Sequence, residues 1–409
     1  MLRMLKKHIM KGRKTVKKLI SLALVLVMLF SLGAVNAFAD GDAYLSVMLS
    51  TNVMSLDTNL ATDGESFEVI ADCIDGLMQM DAEGAAIPAI AESYDLSEDG
   101  TVYTFHLRDA EWANGAKVTA NDFEFAWKRI AAECEEYAYM FDSTVGCIKN
   151  ADAILYEGGD PDTLGVKALD DKTLEVTLEV PVSFFPNLMY FPIFYPINEE
   201  FYKSLEEGTY GTSPETFLSN GAFVLESYTP GTASLSLKKN DKYWDAENVK
   251  LAGIKYQVIQ NSGEALDAFK KGELDVVTVS GNQVGVAEKD AELSKNLKVT
   301  GAGYLWYLSF SQTKNNAEGG MLANKNLRLA ITNVIDRYNL TDNYVMDGSL
   351  ATFTAVPPQF AVSNETGEDF SADQEQFLGV CDYNPEGAQE FFETANKELG
   401  KDKFTFTLI

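Results

Sequence analysis

The sequence predicts a mixed α/β fold divided into at least two lobes, and three observations predict it. Strand-like alternation and helix-like periodicity take turns along the whole chain. About 370 residues remain once an export signal is set aside, whereas one hydrophobic core rarely serves more than ~250–300. With 46% hydrophobic and 11% aromatic residues, the chain has the side chains to fill such cores.

The export signal comes first. Arg3, Lys6, Lys7, Lys11, Arg13, Lys14, Lys17 and Lys18 precede an apolar run, Leu19 to Leu32, and no acidic residue interrupts them. A basic segment before a short apolar one is a secretory signal. Ala37 and Ala39 flank Phe38 and predict cleavage between Ala39 and Asp40. Met10 offers a second start, and a retained signal anchor is the competing reading, although the run falls short of the ~20 residues a span takes.

Strands are predicted where Tyr103, Phe105 and Leu107 alternate with polar residues, and again at Leu174, Val176, Leu178 and Val180. His106 falls on the polar face of the first. Between them Thr119 and Asp122 form a T-x-x-D capping box ahead of Phe123, Ala126, Trp127 and Ile130. Further helices are predicted from Ser262 (Leu266, Phe269, stopping at Gly272) and near Asn326 (Leu327, Ala330, Ile331, Val334, Ile335). Another runs from Asn384-Pro385 to Gly400, with proline at its first position and glycine after its end. No internal repeat, low-complexity tract or flexible linker separates these elements, so the lobes are expected to be interwoven.

Charge excludes some partners. The chain carries 61 acidic and 33 basic residues, a formal −28; without residues 1–39 the balance is 61 against 25, or −36. Such a field disfavours nucleic acid and anionic membranes. It is equally the solubility device of a secreted protein.

Enzyme chemistry finds little to work with. The only histidines are His8, in the signal, and His106, too few for a His-based triad or a multi-His metal site. Nucleophile-elbow, phosphate-loop, zinc-protease and EF-hand patterns are absent from the sequence. Carboxylate pairs abound simply because 61 acids guarantee them; the runs at 98–100 and 135–136 read as turns and solvated helix faces. Cys73, Cys134, Cys147 and Cys381 form no C-x-x-C pair and read as four small buried side chains, with a Cys134–Cys147 disulfide as the alternative. No cofactor or metal is implied.

Aromatics are the candidate binding residues. Tyr137, Tyr139 and Phe141 follow the helix that begins at Thr119, Phe184 and Phe185 lie in a loop, and Tyr304, Trp306 and Tyr307 share a predicted apolar strand. Core packing and the wall of a solute cleft would both use them.

Residues 88–130, PAIAESYDLSEDGTVYTFHLRDAEWANGAKVTANDFEFAWKRI, resemble the signature of the family 5 extracellular solute-binding proteins. The resemblance is specific because IDGLMQMDAEG, PAIAES, TFHLR, WANG and the VTANDFEFAWKR helix come in order. LGVKALDDKTLEVTLEVPVSFF (164–185), SNGAFVLESY with LKKNDKYWDAENV (219–249), KGELDVV (271–277) and NKNLRLAITNVIDRYNL (324–340) extend it over nearly all of 41–409. Two departures stand out: no lipid-bearing cysteine follows the signal, and the sequence ends inside KFTFTLI where relatives continue.

The resemblance implies a two-lobed periplasmic-binding-protein-like clamp (type II, cluster C) with an extra small domain on the first lobe and an incomplete second lobe. Residues 40–78 and 176–280 would form lobe I, 79–175 the extra domain and 281–409 part of lobe II. It implies an exported, non-enzymatic and monomeric receptor of an ABC importer. That receptor would capture oligopeptides in an interlobe cleft and deliver them to a membrane permease. Tyr137 or Tyr139 resembles a tyrosine beside the ligand and Lys314 in WYLSFSQTK resembles a lysine near the peptide carboxylate; Trp306 is a candidate only as one of the aromatics of the predicted strand. A plain surface lysine is the alternative for Lys314. A secreted hydrolase of peptides or glycans and a peptide sensor remain the competing functions.

Overall fold

The computed structural model describes residues 43–82, 84–133, 135–299, 305–313, 320–357, 360–363, 366–369, 371 and 381–405. The chain divides after Thr278 into two compact units.

The first unit carries two four-stranded sheets. One has the order β1-β10-β9-β8, from Tyr44–Leu49 (β1), Phe223–Ser227 (β8), Ser234–Lys239 (β9) and Gly253–Val258 (β10); β1 lies parallel to β10 and the other pairs are antiparallel. Its inward positions recur at every second residue: Phe223 and Leu225, Leu235 and Leu237, Ile254 and Tyr256. Helix α1 (Gly64–Cys73) follows β1.

The other sheet is antiparallel in the order β4-β5-β7-β6, from Ala91–Leu96, Val102–Leu107, Thr173–Thr177 and Val166–Asp170. A short hairpin, β2 (Met78–Met80) with β3 (Ala86–Pro88), leads into it. Tyr103, Phe105 and Leu107 of β5 are buried, and His106 faces outward to bond Asp95 at 2.8 Å, as the alternation predicts. The TLEVTLEV strand stops earlier than expected. β7 ends at Thr177, Leu178 survives only as a bridge to Ile148, and Val180 is half exposed.

Helix α2 (Ala120–Glu133) packs on β6 and β7 and turns Phe123, Ala126, Trp127 and Ile130 inward. Its cap differs from the box predicted. Asp122 accepts from the Thr119 N–H at 2.9 Å, but the Thr119 hydroxyl donates to the same carboxylate instead of accepting from the helix. The indole of Trp112 is the third donor, at 3.1 Å. Burial outweighs these donors and raises the Asp122 carboxyl to about 6. Further along lie α3 (Ala151–Glu157), α4 (Glu199–Ser204) and α5 (Ser262–Lys270), the last capped by Asn261. One contiguous set of buried side chains runs from Leu49 to Tyr256.

The second unit contains α6 (Asn282–Lys289), α7 (Lys325–Asn333) and α8 (Pro385–Leu399). α7 and α8 pack together, and Glu398 clasps the amides of Asn324 and Asn326 at 2.8–3.0 Å. α8 has the predicted bounds: Asn384 caps it, proline starts it, and Gly400 ends it with φ of 64°. α7 stops at Asn333, short of Val334 and Ile335; Val334 caps its end and is half exposed.

Cys73 and Cys147 are free and buried, while Cys381 is only partly covered, which corrects the expectation of burial there; Cys134 lies outside the described residues. Among the described residues, no helix is long and apolar enough to cross a membrane. Ala39, Asp40, Lys314 and Phe406 also lie outside them.

Candidate ligand-binding site

A 3-10 helix, Glu136–Phe141, places the two candidate tyrosines. With three residues per turn, positions three apart share a face. Ala138 and Phe141 share the inner one, and Phe141 locks the turn into the core by stacking on Phe194 at 4.9 Å and meeting Trp127 edge-on at 5.8 Å. Tyr139 therefore faces out, 46% exposed, and Tyr137 takes the flank. Their rings lie 5.8 Å apart. Phe67 of α1 and Phe191 complete the group, at 5.4 and 5.7 Å from Tyr137. The sequence signal for these two was weak, since each is one apolar residue more than 50 positions from the tyrosines along the chain.

α1 presents this surface because its buried stripe, Ser66, Val69, Ile70 and Cys73, follows helical spacing. Asp63 caps it, accepting from the Ser66 N–H at 2.8 Å and the Ser66 hydroxyl at 2.7 Å. The Ser66 oxygen in turn accepts from the Met54 and Ser55 amides at 3.1 and 3.3 Å, which seats the loop after β1 against the helix. On the far side of α1, Tyr256 donates to Asp72 at 2.5 Å. Burial is the larger influence on Asp72 and raises its carboxyl to about 7, with Glu68 adding like charge.

Two buried groups anchor the framework. Arg129 forks onto both Asp57 oxygens at 2.8 Å and reaches the Asn59 side-chain Oδ1 at 3.1 Å; both charged side chains are at most 8% exposed. Such a bidentate pair fixes direction as well as distance, so the 57–59 turn is held to α2. Its guanidinium also lies over Tyr202 at 4.6 Å. Elsewhere Asp75 accepts from the Trp244 indole at 2.9 Å and the Tyr243 hydroxyl at 3.0 Å, and Arg108 covers Trp244 at 3.6 Å. Burial raises the Asp75 carboxyl to about 6. These carboxyls serve packing: each has donors from the protein itself, and no described group of three His, Cys, Asp or Glu could hold a metal ion.

Of the loop aromatics, Phe185 is core, 5.1 Å from Tyr103, and Phe184 is half exposed. Trp306 and Tyr307 belong to the second unit and are 92% and 77% exposed. The described part of the segment where a strand was predicted, residues 305–313, is irregular, and Tyr304 lies outside the described residues. Tyr137 and Tyr139 lie side by side in the first unit, while Trp306 belongs to the second.

The family model described as bacterial extracellular solute-binding proteins, family 5 Middle, matches residues 85–409. The chain belongs to that family. This family 5 protein is 32% identical over 367 residues to the dipeptide-binding protein of Lactococcus lactis, a match covering 88% of the chain and 65% of that relative. It is 33% identical over 371 residues to the oligopeptide-binding protein OppA of Bacillus subtilis, covering 89% and 64%. Its fold is similar to that of Listeria monocytogenes OppA bound to peptide. There the TM-score is 0.73 with 32% identity, over 89% of this chain and 70% of that one. The family 5 protein thus spans just under two thirds of the length of these curated relatives. The mixed α/β architecture expected from its sequence is the fold of its family.

Proposed function

We propose that this protein is the extracytoplasmic, non-enzymatic receptor of an ABC-type importer, capturing oligopeptides and handing them to a membrane permease. The observation that carries this reading is the similarity, over 89% of the chain, to a relative solved with peptide bound. An outward aromatic turn anchored in a rigid core supports it, because rings on a fixed scaffold bind apolar side chains without paying for ordering. Tyr137 and Tyr139 are the ligand contacts we assign to the first unit, and Trp306 and Lys314 those we assign beyond Thr278. We keep the division into lobe I (40–78 and 176–280), extra domain (79–175) and lobe II (281–409). We also keep export by cleavage between Ala39 and Asp40 without a lipid anchor, and a monomeric state without nucleic acid.

The test is native mass spectrometry of the purified protein, followed by calorimetry with any peptides it releases. Co-purifying peptides that rebind without being cleaved are expected. Turnover of peptide or glycan would replace this reading with hydrolysis, and the absence of any bound or rebinding peptide would remove it.

A further inference from the structure

A small cavity in the first unit lies between the end of α4 and the loop that follows it. Tyr202 and Lys203 of the helix, Glu206, Glu207 and Gly208 of the loop, and Tyr210 line it, and its volume is about 180 Å³. A water takes about 30 Å³, and pockets for drug-sized ligands start near about 300 Å³. The space therefore suits one small head group.

Its inner wall rests on the buried ion pair. Arg129, forked onto Asp57, lies over the Tyr202 ring at 4.6 Å, and Tyr202 meets Tyr210 edge-on at 5.4 Å. Phe217 is tilted against Tyr210 at 6.2 Å, and Gly211, the next residue, abuts the Asp57 backbone nitrogen. Tyr210 is held from several sides and is only 7% exposed. Its hydroxyl has no hydrogen-bond partner among the described residues. Unlike Thr58 Oγ1 and Asn59 Nδ2, which also lack partners, it is not sealed off from solvent. It opens into the cavity that Tyr210 lines. Burial first, and then the Asp57 charge, raise this phenol above its ordinary range, so it stays neutral and keeps its lone pairs free for a donor.

Charge decides what the cavity takes. Both basic groups beside it are engaged, Arg129 with Asp57 and with Glu133 at 3.3 Å, and Lys203 with Glu199 at 2.5 Å. Glu206 and Glu207 line the same space, and neither carboxylate is paired among the described residues. An anion would meet two uncompensated carboxylates there. A cation would meet those carboxylates, a phenol oxygen without a donor and electron-rich rings. The chain's formal charge of −28 gives the wider field the same sign.

We propose that this cavity binds one small organic cation, an alkylammonium or guanidinium group, with Glu206 and Glu207 supplying the counter-charge and the Tyr210 hydroxyl accepting a hydrogen bond. A free amine and a Lys or Arg side chain of a peptide share this chemistry. The site belongs to the first unit alone and does not depend on the peptide-receptor reading.

The experiment is fluorine NMR of the purified protein labelled with fluorotyrosine, the Tyr202 and Tyr210 signals being identified by their loss in Tyr202→Phe and Tyr210→Phe. Methylguanidinium is expected to move both signals to a saturating shift. N-methylurea, its uncharged analogue, should bind at least about tenfold more weakly. Glu206→Gln combined with Glu207→Gln should weaken methylguanidinium by a similar factor, and Tyr210→Phe, read at Tyr202, severalfold. Acetyl-Gly-Arg-Gly-amide separates the sources: shifts like those of methylguanidinium extend the site to peptide side chains, and their absence confines it to free cations. No shift with methylguanidinium, equal binding of N-methylurea, binding of acetate instead, or a double variant that binds as the wild type does overturns the cation site. Each of those results leaves the peptide-receptor reading in place.

Discussion

In the first unit Trp112, Trp127, Phe105 and Phe141 are fully buried; in the second, Trp306, Tyr344, Leu350 and Phe360 are 66–92% exposed. Both units contain helices that begin with side-chain caps, at Asp63 and Asn261 in one and at Asn324 and Asn384 in the other. What separates them is the surface each helix finds to lie against. α2 sets its apolar face on β6 and β7 and on the rings of Phe141 and Phe194, whereas, among the described residues, α7 and α8 cover mainly each other. Among the described residues after Thr278, only Ala287, Leu327, Ala330, Ala388 and Ala395 are buried hydrophobics. Four of those five are alanines, which bury little area, and buried apolar area is what stabilises, at about 25 cal/mol per Å². Caps and periodicity suffice to form a helix. Its stability comes from the partner surface.

The largest expected effect breaks the first unit at its buried ion pair. Arg129→Met leaves Asp57 charged, 4% exposed and without its fork, and removing one member of such a pair costs about 3–5 kcal/mol. Urea denaturation followed by tryptophan fluorescence measures the loss, and a change below about 1 kcal/mol would refute it. Amide exchange in α7 and α8 sharpens the comparison, because unchanged protection there confines the damage to the first unit. Equal loss in both units would mean that they do not stand apart.

Next in size is a pH dependence carried by the buried carboxyls of the first unit. Burial lifts Asp72 to about 7 and Asp75 and Asp122 to about 6, against about 3.9 in an unfolded chain. Between those values the folded state binds more protons than the unfolded one. Their contribution to stability is therefore fully present below about pH 4 and is lost as pH rises toward 7, by at most about 1.4 kcal/mol per group per pH unit. Carboxyls held low by donors, such as Asp99 and Asp170, act in the opposite sense but only below about pH 4. The urea midpoint of the first unit should rise from pH 8 to pH 5.5, and Asp72→Asn should flatten the upper part of that slope. A midpoint that falls on acidification would show the burial argument to have the wrong sign.

A smaller loss is expected at Gly211. Its φ is 73°, and a Cβ there would sit 2.6 Å from the Asp57 backbone nitrogen. Gly211→Ala meets both strain and a clash under the turn that Arg129 holds, so it should cost more than about 1 kcal/mol. Thermal unfolding checks it, and a neutral result would mean that this turn yields more easily than its ion pair suggests.

How much of this was legible in the sequence depended on range. The β5 alternation and the α8 bounds are local patterns, and they came through. The fork from Arg129 to Asp57 spans 72 positions and the ring contact from Phe67 to Tyr137 spans 70, so no periodicity could announce either. The strand expected at Trp306 and the helical end expected at Val334 are not seen: residues 305–313 are irregular and α7 stops at Asn333. An apolar pattern states which side chains would gain from burial, not whether a partner surface is there to receive them.

That last distinction sets the smallest expected effect. Val334, Leu340, Tyr344 and Tyr383 line a shallow pocket of about 340 Å³ in the second unit, and Tyr344 is 71% exposed. If exposed apolar residues there contribute nothing to folding, Tyr344→Ser should change stability by no more than about 0.5 kcal/mol, the range of ordinary surface substitutions. Removing an aromatic ring from a group of exposed apolar side chains should at the same time lower self-association. The two readouts, unfolding midpoint and light scattering at rising protein concentration, therefore move independently. The same ring truncation at Phe141 in the first unit, where the side chain is fully buried, should instead cost about 3–5 kcal/mol. A loss at Tyr344 approaching that at Phe141 would mean that the pocket is part of a core after all. The contrast between the two units would then have to be rebuilt on something other than covered and uncovered apolar surface.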